Sequence, residues 1–183
     1  IDFSHHSALR AHLEAAVKAR CGLVVGTTGL PEDLLKRIRK ASEKIAVVHS
    51  PNMSVGVNLL FTLTEIAARV LNEGYDAELM EIHHRLKKDA PSGTAVKLLD
   101  ILSRARGKKS SGNAVYGREG ETGARSKTEI GVFALRGGDV TGEHTLYFLG
   151  EGERLELTHR ASSRDCFAQG ALRAAKFLAK KKS

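Results

Sequence analysis

The stretch His83-His84-Arg85-Leu86-Lys87-Lys88-Asp89, followed by Pro91-Ser92-Gly93-Thr94, concentrates groups that move protons and groups that hold anions. Histidine is the side chain best poised to give or take a proton near neutral pH. Lys87 and Lys88 add positive charge, and Thr94 adds a hydroxyl. Ser92 precedes an apolar-periodic run, so the spacing predicts an N-cap with Gly93 and Thr94 in the first helical turn. The first N–H groups of a helix have no partner within it, and the helix dipole favours negative charge there. A glycine at that place lets a carboxylate approach the backbone. Such a set can transfer a proton to an anionic substrate held at a helix N-terminus.

Each feature taken alone has a plainer reading. A histidine in a strand more often packs or faces water, Lys-Lys is usually a solvated face, and Ser-Gly-Thr is usually only a cap. Their concentration in one short stretch favours the chemical reading. Alternate residues of a strand share a face, so Glu81 goes with His83, while Ile82 and His84 go with Met80. Adjacent histidines on opposite faces, with no third ligand evident, argue against a metal. Asp89 pairs with Lys87 or orients the turn. His5, His6, His12, His144 and His159 lie in no comparable neighbourhood; His144 and His159 fall on strands, where packing or hydrogen bonding accounts for them.

A second pair of segments can hold a ligand. "VVGTTG" reads as a buried strand ending in glycine, and "IAVVHSPNMS" as a neighbouring strand with its own loop. Ligands of parallel α/β sheets bind outside the carboxyl ends of the strands, where glycine permits close approach. Gly26, Thr27 and Thr28 would then face a cofactor or substrate, with Ser50, Pro51, Asn52 and Met53 beside them. A single strand-to-helix turn is a weak signal; two at one sheet edge are stronger. No G-x-G-x-x-G fingerprint is present.

These groups need elements to position them. The first residues, "IDFS", read as a strand end, and Ser4 as the cap of a helix over "HHSALRAHLEAAVKAR". Pro31 opens "PEDLLKRIRKASEK", acidic first and basic later, as the dipole favours. Strand and helix alternate, which predicts a parallel sheet. Residues 54–73 read as a long apolar helix, "YDAELMEIHH" as a strand, and "SGTAVKLLDILSRAR" as a helix. Residues 107–128 read as a long loop. Three strand-like runs follow; the Gly137-Gly138 pair and Gly150-Glu151-Gly152 read as hairpin turns, and Ser163 as the cap of a final helix. The fold class expected is α/β: an incomplete Rossmann-type parallel sheet domain, then an α+β domain with a mostly antiparallel or mixed sheet. The divisions expected are 1–53, the C-terminal part of a dinucleotide-binding domain whose first part precedes Ile1; 54–163, for substrate and oligomerisation; and 164–183, a helix returning to the first domain.

Composition narrows the function classes. The 183 residues carry a net charge of +8, with 5% aromatics and no Trp. Nucleic-acid binding would call for aromatic stacking platforms, which are scarce here, so an anionic small molecule is the better use of the internal bases. No apolar run approaches the roughly 20 residues that span a bilayer. No secretory signal is visible, and the two cysteines, Cys21 and Cys166, show no zinc or C-x-x-C spacing, so free thiols in a cytoplasmic protein are expected.

The stretch "ELMEIHHRLKKDAPSGTA" resembles the signature of the dihydrodipicolinate reductase family. Glu78, Glu81, His83, Lys87, Asp89 and Pro91 to Ala95 match it, and "VVGTTG", "PNMSVGVNLL", "YGREGETGAR" and "IGVFALRGGDVTGEHTLYF" agree in order. The resemblance covers nearly the whole chain. It implies reduction of a cyclic dihydrodipicolinate-type substrate by NADH or NADPH, giving tetrahydrodipicolinate on the diaminopimelate route to lysine. It implies that His83 is the proton donor and acceptor and Lys87 a proton donor. It also implies that His84, Gly93 and Thr94 bind substrate, with Ser92 shaping that turn, and that Gly26–Thr28 and Ser50–Met53 bind the dinucleotide near its nicotinamide. A homotetramer joined through second-domain sheets is implied as well. The competing reading is a non-catalytic fragment that oligomerises and binds dicarboxylates without turnover. Cofactor oxidation separates the two.

Overall fold

The computed structural model describes residues 1–72, 74–107 and 113–181. Glu73, residues 108–112 of the expected loop and the last two residues of the basic tail lie outside the described residues. The chain forms two compact units, residues 1–55 with the segment from Asp165 onward, and residues 56–164.

In the first unit, helix α1 (His6–Lys18), strand β1 (Leu23–Val25), helix α2 (Glu32–Ser42) and strand β2 (Val47–His49) follow one another, and helix α5 (Asp165–Ala179) comes from the end of the chain. β1 and β2 pair in parallel, Val25 opposite His49. Asp2 adds a parallel bridge to Val25, so "IDFS" does lie along the sheet. Successive residues of a strand point to opposite faces. Leu23 and Val25 therefore pack with Leu9 and Leu13 of α1 and Leu34 and Ile38 of α2. Val24 packs the other way, with Met53, Ala171 and Leu178. A strand covered on both faces is apolar throughout, which is why all three residues of β1 are buried. Pro31 stands at the N-cap of α2, with Glu32 and Asp33 in its first turn and Arg39 and Lys40 in its last. Ser4 is not the cap of α1. The His5 side chain accepts from the Ser7 N–H, while Ser4 donates its N–H and hydroxyl to Asp2.

The second unit begins in helix α3 (Val55–Val70). Strand β3 (Asp76–His83), helix α4 (Gly93–Ala105) and strands β4 (Ala114–Tyr116), β5 (Ile130–Arg136), β6 (Gly142–Leu149) and β7 (Arg154–Ala161) follow. The five strands make one sheet in the order β4-β5-β3-β6-β7. β4, β5 and β3 run parallel, while β6 and β7 run antiparallel to their neighbours, so the sheet is mixed.

Two sequence expectations change here. The segment 107–128 is not loop throughout, because β4 pairs with the start of β5. The Gly137-Gly138 pair does not close a hairpin, because β3 lies between β5 and β6. Instead the connection straddles the end of β3: Gly137 N–H donates to the His83 carbonyl at 3.0 Å, and Arg85 N–H to the Gly138 carbonyl at 3.2 Å. The Gly-Glu-Gly turn does join neighbours, β6 and β7, with Gly150 N–H donating to the Glu153 carbonyl.

The core of this unit lies between the sheet and α3 and α4. Ala77 and Leu79 of β3 pack with Leu60 and Phe61 of α3, Leu98 and Leu102 of α4, and Leu146 and Phe148 of β6. β3 buries alternate residues: Ala77, Leu79, Glu81 and His83. One face of one strand thus starts as hydrocarbon core and ends as carboxylate and imidazole.

Candidate active site

Strand register assembles the site. Across β6, Leu79 faces Leu146 and Glu81 faces His144; across β5, His83 faces Arg136. The rows that are apolar lower in the sheet become ionisable where β3 ends.

Glu81 is fully buried. One carboxylate oxygen, Oε2, meets His83 Nδ1 and accepts from Arg136 Nη1 at 3.0 Å. The other, Oε1, accepts from Arg136 Nη2 at 2.9 Å and from the Ser92 backbone N–H at 3.1 Å. Burial by itself raises this carboxyl, but the bonds from His83 and Arg136, their positive charge and the Ser92 N–H bring it down to about 2. It is a carboxylate at neutral pH. An ionised carboxylate only accepts, so His83 carries its hydrogen on Nδ1 when neutral, and Nε2 is left for exchange. A Cβ built on Gly142 would stand 2.9 Å from that Nε2. The glycine keeps this side of the ring open.

The helix start expected at Ser92 is present. Ser92 is the N-cap of α4, and its Oγ accepts from the Ala95 N–H at 3.2 Å. Gly93 is exposed, and a Cβ there would meet nothing within 4 Å. Thr94 is buried in the same turn. Lys87 lies in the turn leaving β3, its side chain 20% exposed, and donates to both oxygens of Asp89 at 2.8 and 2.9 Å. Burial raises the Asp89 carboxyl, but the Lys87 bond and the charges of Lys87 and Arg136 hold it below its ordinary value. The Lys87–Asp89 pairing read from the sequence is thus present. His84 is half-buried just beyond β3, and its carbonyl accepts from the Lys87 N–H at 3.1 Å.

His144, set aside on sequence grounds, belongs to this cluster. It is 3% exposed, lies edge-on to His83 with ring centroids 5.2 Å apart, and its Nε2 is 3.1 Å from Ser92 Oγ. Burial, with the nearby His83 charge, pushes it down to about 3, so it is neutral. Ser92 Oγ accepts from Ala95 and keeps a second lone pair, so at His144 Nε2 either the hydroxyl or the ring N–H can donate, and the ring's other nitrogen is Nδ1. That Nδ1 has no hydrogen-bond partner among the described residues. Arg136 was missed as well. The signal for His144 was the alternation of Phe148, Leu146 and His144 against Ala77, Leu79 and Glu81, and for Arg136 its place opposite His83; both become readable only once the strands are paired. Among the described residues there is no group of three or more His, Cys, Asp or Glu able to hold a metal ion.

The loops of the first unit lie together after the carboxyl ends of β1 and β2, with Ser50 N–H donating to the Val25 carbonyl at 3.2 Å. Gly26 is buried under the Phe3 ring, which a Cβ would meet at 2.3 Å. Thr27 donates to the Ser4 carbonyl at 3.1 Å, and Thr28 is exposed. Ser50 donates to the Asn52 carbonyl at 2.7 Å, and the Asn52 side-chain oxygen accepts from the Ser54 N–H at 2.9 Å. Pro51 is half-buried between them, and Met53 packs its side chain into the core. Thr28, Pro51 and the backbone of both loops are what this edge offers to a ligand.

The family description "Dihydrodipicolinate reductase, N-terminus" matches residues 1–53, and "Dihydrodipicolinate reductase, C-terminus" matches residues 56–183. A 4-hydroxy-tetrahydrodipicolinate reductase of Aquifex aeolicus is 56% identical over 180 residues, covering 97% of this chain and 66% of that protein. Another of that name, from Polynucleobacter necessarius, is 49% identical over 183 residues, covering all of this chain and 69% of that protein. The chain spans about two thirds of the length of these relatives. Among solved structures, a dipicolinate-bound dihydrodipicolinate reductase from Paenisporosarcina sp. TG-14 superposes with a TM-score of 0.75 at 26% identity, over 97% of this chain and 67% of that one.

Proposed function

Because this chain belongs to the dihydrodipicolinate reductase family, we propose that it reduces a cyclic dihydrodipicolinate-type substrate to tetrahydrodipicolinate with NADH or NADPH, on the diaminopimelate route to lysine. The observation that carries this reading is the buried Glu81–His83 pair set beside the N-terminus of α4. A proton-transfer group and an anion-binding turn stand together, as a dicarboxylate undergoing reduction requires.

The reaction adds a hydride and a proton across a ring double bond. A bound nicotinamide dinucleotide supplies the hydride; Gly26, Thr27, Thr28, Ser50, Pro51, Asn52 and Met53 form the loops that hold its nicotinamide end. His83 and Lys87 are the proton donors. His83 presents Nε2 because Glu81 holds Nδ1, and Lys87 is held in place by both oxygens of Asp89. The Gly93 and Thr94 N–H groups take a substrate carboxylate, Ser92 fixes the turn that presents them, and His84 contacts the ring substituents. The dipicolinate carried by the Paenisporosarcina relative has this dicarboxylate character. The protein works as a cytoplasmic homotetramer joined through the sheets of residues 56–164.

Matches along the whole chain, in both halves of the family, weigh against the non-catalytic reading. The test is to supply substrate with NADH or NADPH and follow cofactor absorbance. Oxidation that depends on substrate is expected. Dicarboxylate binding without oxidation would leave the non-catalytic reading in its place.

A further inference from the structure

We propose that the Glu81–Arg136 pair is a positioning unit that holds three parts of the site in register: the His83 ring, the Lys87 turn and the start of α4. The roles of those three parts rest on the reductase reading; the pairing itself does not.

Glu81 uses both oxygens twice. Oε2 meets His83 Nδ1 and Arg136 Nη1, and Oε1 meets Ser92 N–H and Arg136 Nη2. A carboxylate has about four lone-pair positions, and these donors fill them. Arg136 Nη2 also donates to the Asp89 carbonyl at 2.7 Å, and the Asp89 side chain holds Lys87. Ser92 passes the link on, its Oγ meeting both the Ala95 N–H and His144. His83 and Ser92 each bond directly to Glu81, and Lys87 is linked to Arg136 through Asp89, so these three converge on one ion pair whose carboxylate is fully buried and whose guanidinium is partly exposed.

Stability alone does not explain the pair. Ala77 and Leu79 occupy the same strand face, and continuing that apolar row would avoid the desolvation cost of two charges. The pair does what hydrocarbon cannot. A carboxylate at Nδ1 admits one tautomer of the neutral ring and fixes its plane, as partners behind a functional histidine commonly do. The planar two-pronged guanidinium fixes the carboxylate in turn.

The test compares full-length wild type, Glu81→Gln and Arg136→Lys by three measurements. These are histidine ring nitrogen NMR shifts without ligand, kcat and KM, and dipicolinate affinity by calorimetry. A His83→Gln spectrum assigns the ring signals. Glu81→Gln is expected to turn the single Nδ1–H signature of His83 into a mixture and to lower kcat about 10- to 100-fold. Dipicolinate affinity should stay within about threefold, since the glutamine oxygen still accepts from Ser92. Arg136→Lys keeps the charge but not the fork; it is expected to retain the tautomer and raise KM about tenfold. A purely structural ion pair would change thermal stability and none of these. Unchanged His83 shifts and kcat in folded Glu81→Gln would overturn the proposal. Should that variant not fold, unchanged KM in Arg136→Lys would do so. If the tautomer responds while wild type shows no cofactor oxidation, the reductase reading fails and the positioning role stands.

Discussion

The two units solve the same packing problem with different materials. In the first, Leu23, Val24 and Val25 send hydrocarbon to both sides of the sheet, and the polar groups gather in loops beyond the strand ends. In the second, β3 starts with Ala77 and Leu79 and ends with Glu81 and His83 on the same buried face. Burying charge costs free energy unless it is fully paired. The second unit gathers such a paired set where the strand ends and the helix N-terminus stands beside it. The contrast teaches that the first unit presents backbone at its edge, while the second holds a prepared set of ionisable groups inside its own core.

The strongest way to break this contrast is at the imidazole. His83→Gln removes a general acid but keeps much of the shape, and is expected to lower kcat about 100- to 10,000-fold with dipicolinate affinity nearly unchanged. Full turnover measured by cofactor absorbance would take His83 out of proton transfer.

The next effect is on stability. Arg136→Met leaves the Glu81 charge buried and short of two bonds, at a cost of about 3–5 kcal/mol. Leu9→Ala in the first unit costs about 2–5 kcal/mol through a cavity. Urea titrations at several pH values tell them apart. The Arg136→Met loss shrinks as acid neutralises Glu81, whereas the Leu9→Ala loss does not.

The third prediction concerns His144. Its folded value, about 3, lies below the ordinary 6.5, held there by burial and by His83, with His159 and Lys87 adding to the depression and Glu81 opposing it. The unfolded chain therefore binds the proton first. Stability is full above 6.5 and falls as pH drops from 6.5 toward 3. Glu81, held at about 2 against 4.5, adds a second loss as pH falls from 4.5 toward 2. Between pH 7.5 and 5, His144 accounts for on the order of 2 kcal/mol. His144→Asn should flatten this part of the urea midpoint curve, and an unaltered curve would refute the assignment.

The smallest effect lies in the first unit. Asp2, itself buried, accepts from Ser4 and meets Nδ1 of the half-exposed His12 at 2.6 Å. Asp2→Asn is expected to cost about 1 kcal/mol and to leave dipicolinate affinity untouched.

What could be read in the sequence follows the range of the interactions. The Ser92 cap, the Lys87–Asp89 pair and the shared face of Glu81 and His83 depend on residues a few positions apart, and periodicity exposes them. The helix dipole pattern of α2 was visible for the same reason. His144 and Arg136 reach the site through pairings across more than 50 residues, Ser92 to His144 and Glu81 to Arg136. Those depend on which strands neighbour β3, and the glycine pair at 137–138 suggested the wrong neighbours. β4 was hidden because three residues are too few for alternation to register. The cap of α1 went to His5 because Ser4 had a closer acceptor in Asp2.

The straddling connection at 137–138 has a practical consequence for anyone who alters this protein. Its amide and carbonyl grip the His83 carbonyl and the Arg85 amide, so the path of the backbone itself fastens the chain just where the proton-transfer residue His83 ends its strand. Glycine pairs in loops normally invite tags, insertions and permuted termini. This one is a buckle: a cut or insert between Gly137 and Gly138 would loosen His83 from its strand neighbours, whereas the Gly150–Gly152 turn, at the far end of β6, offers a splice point that leaves the clasp closed.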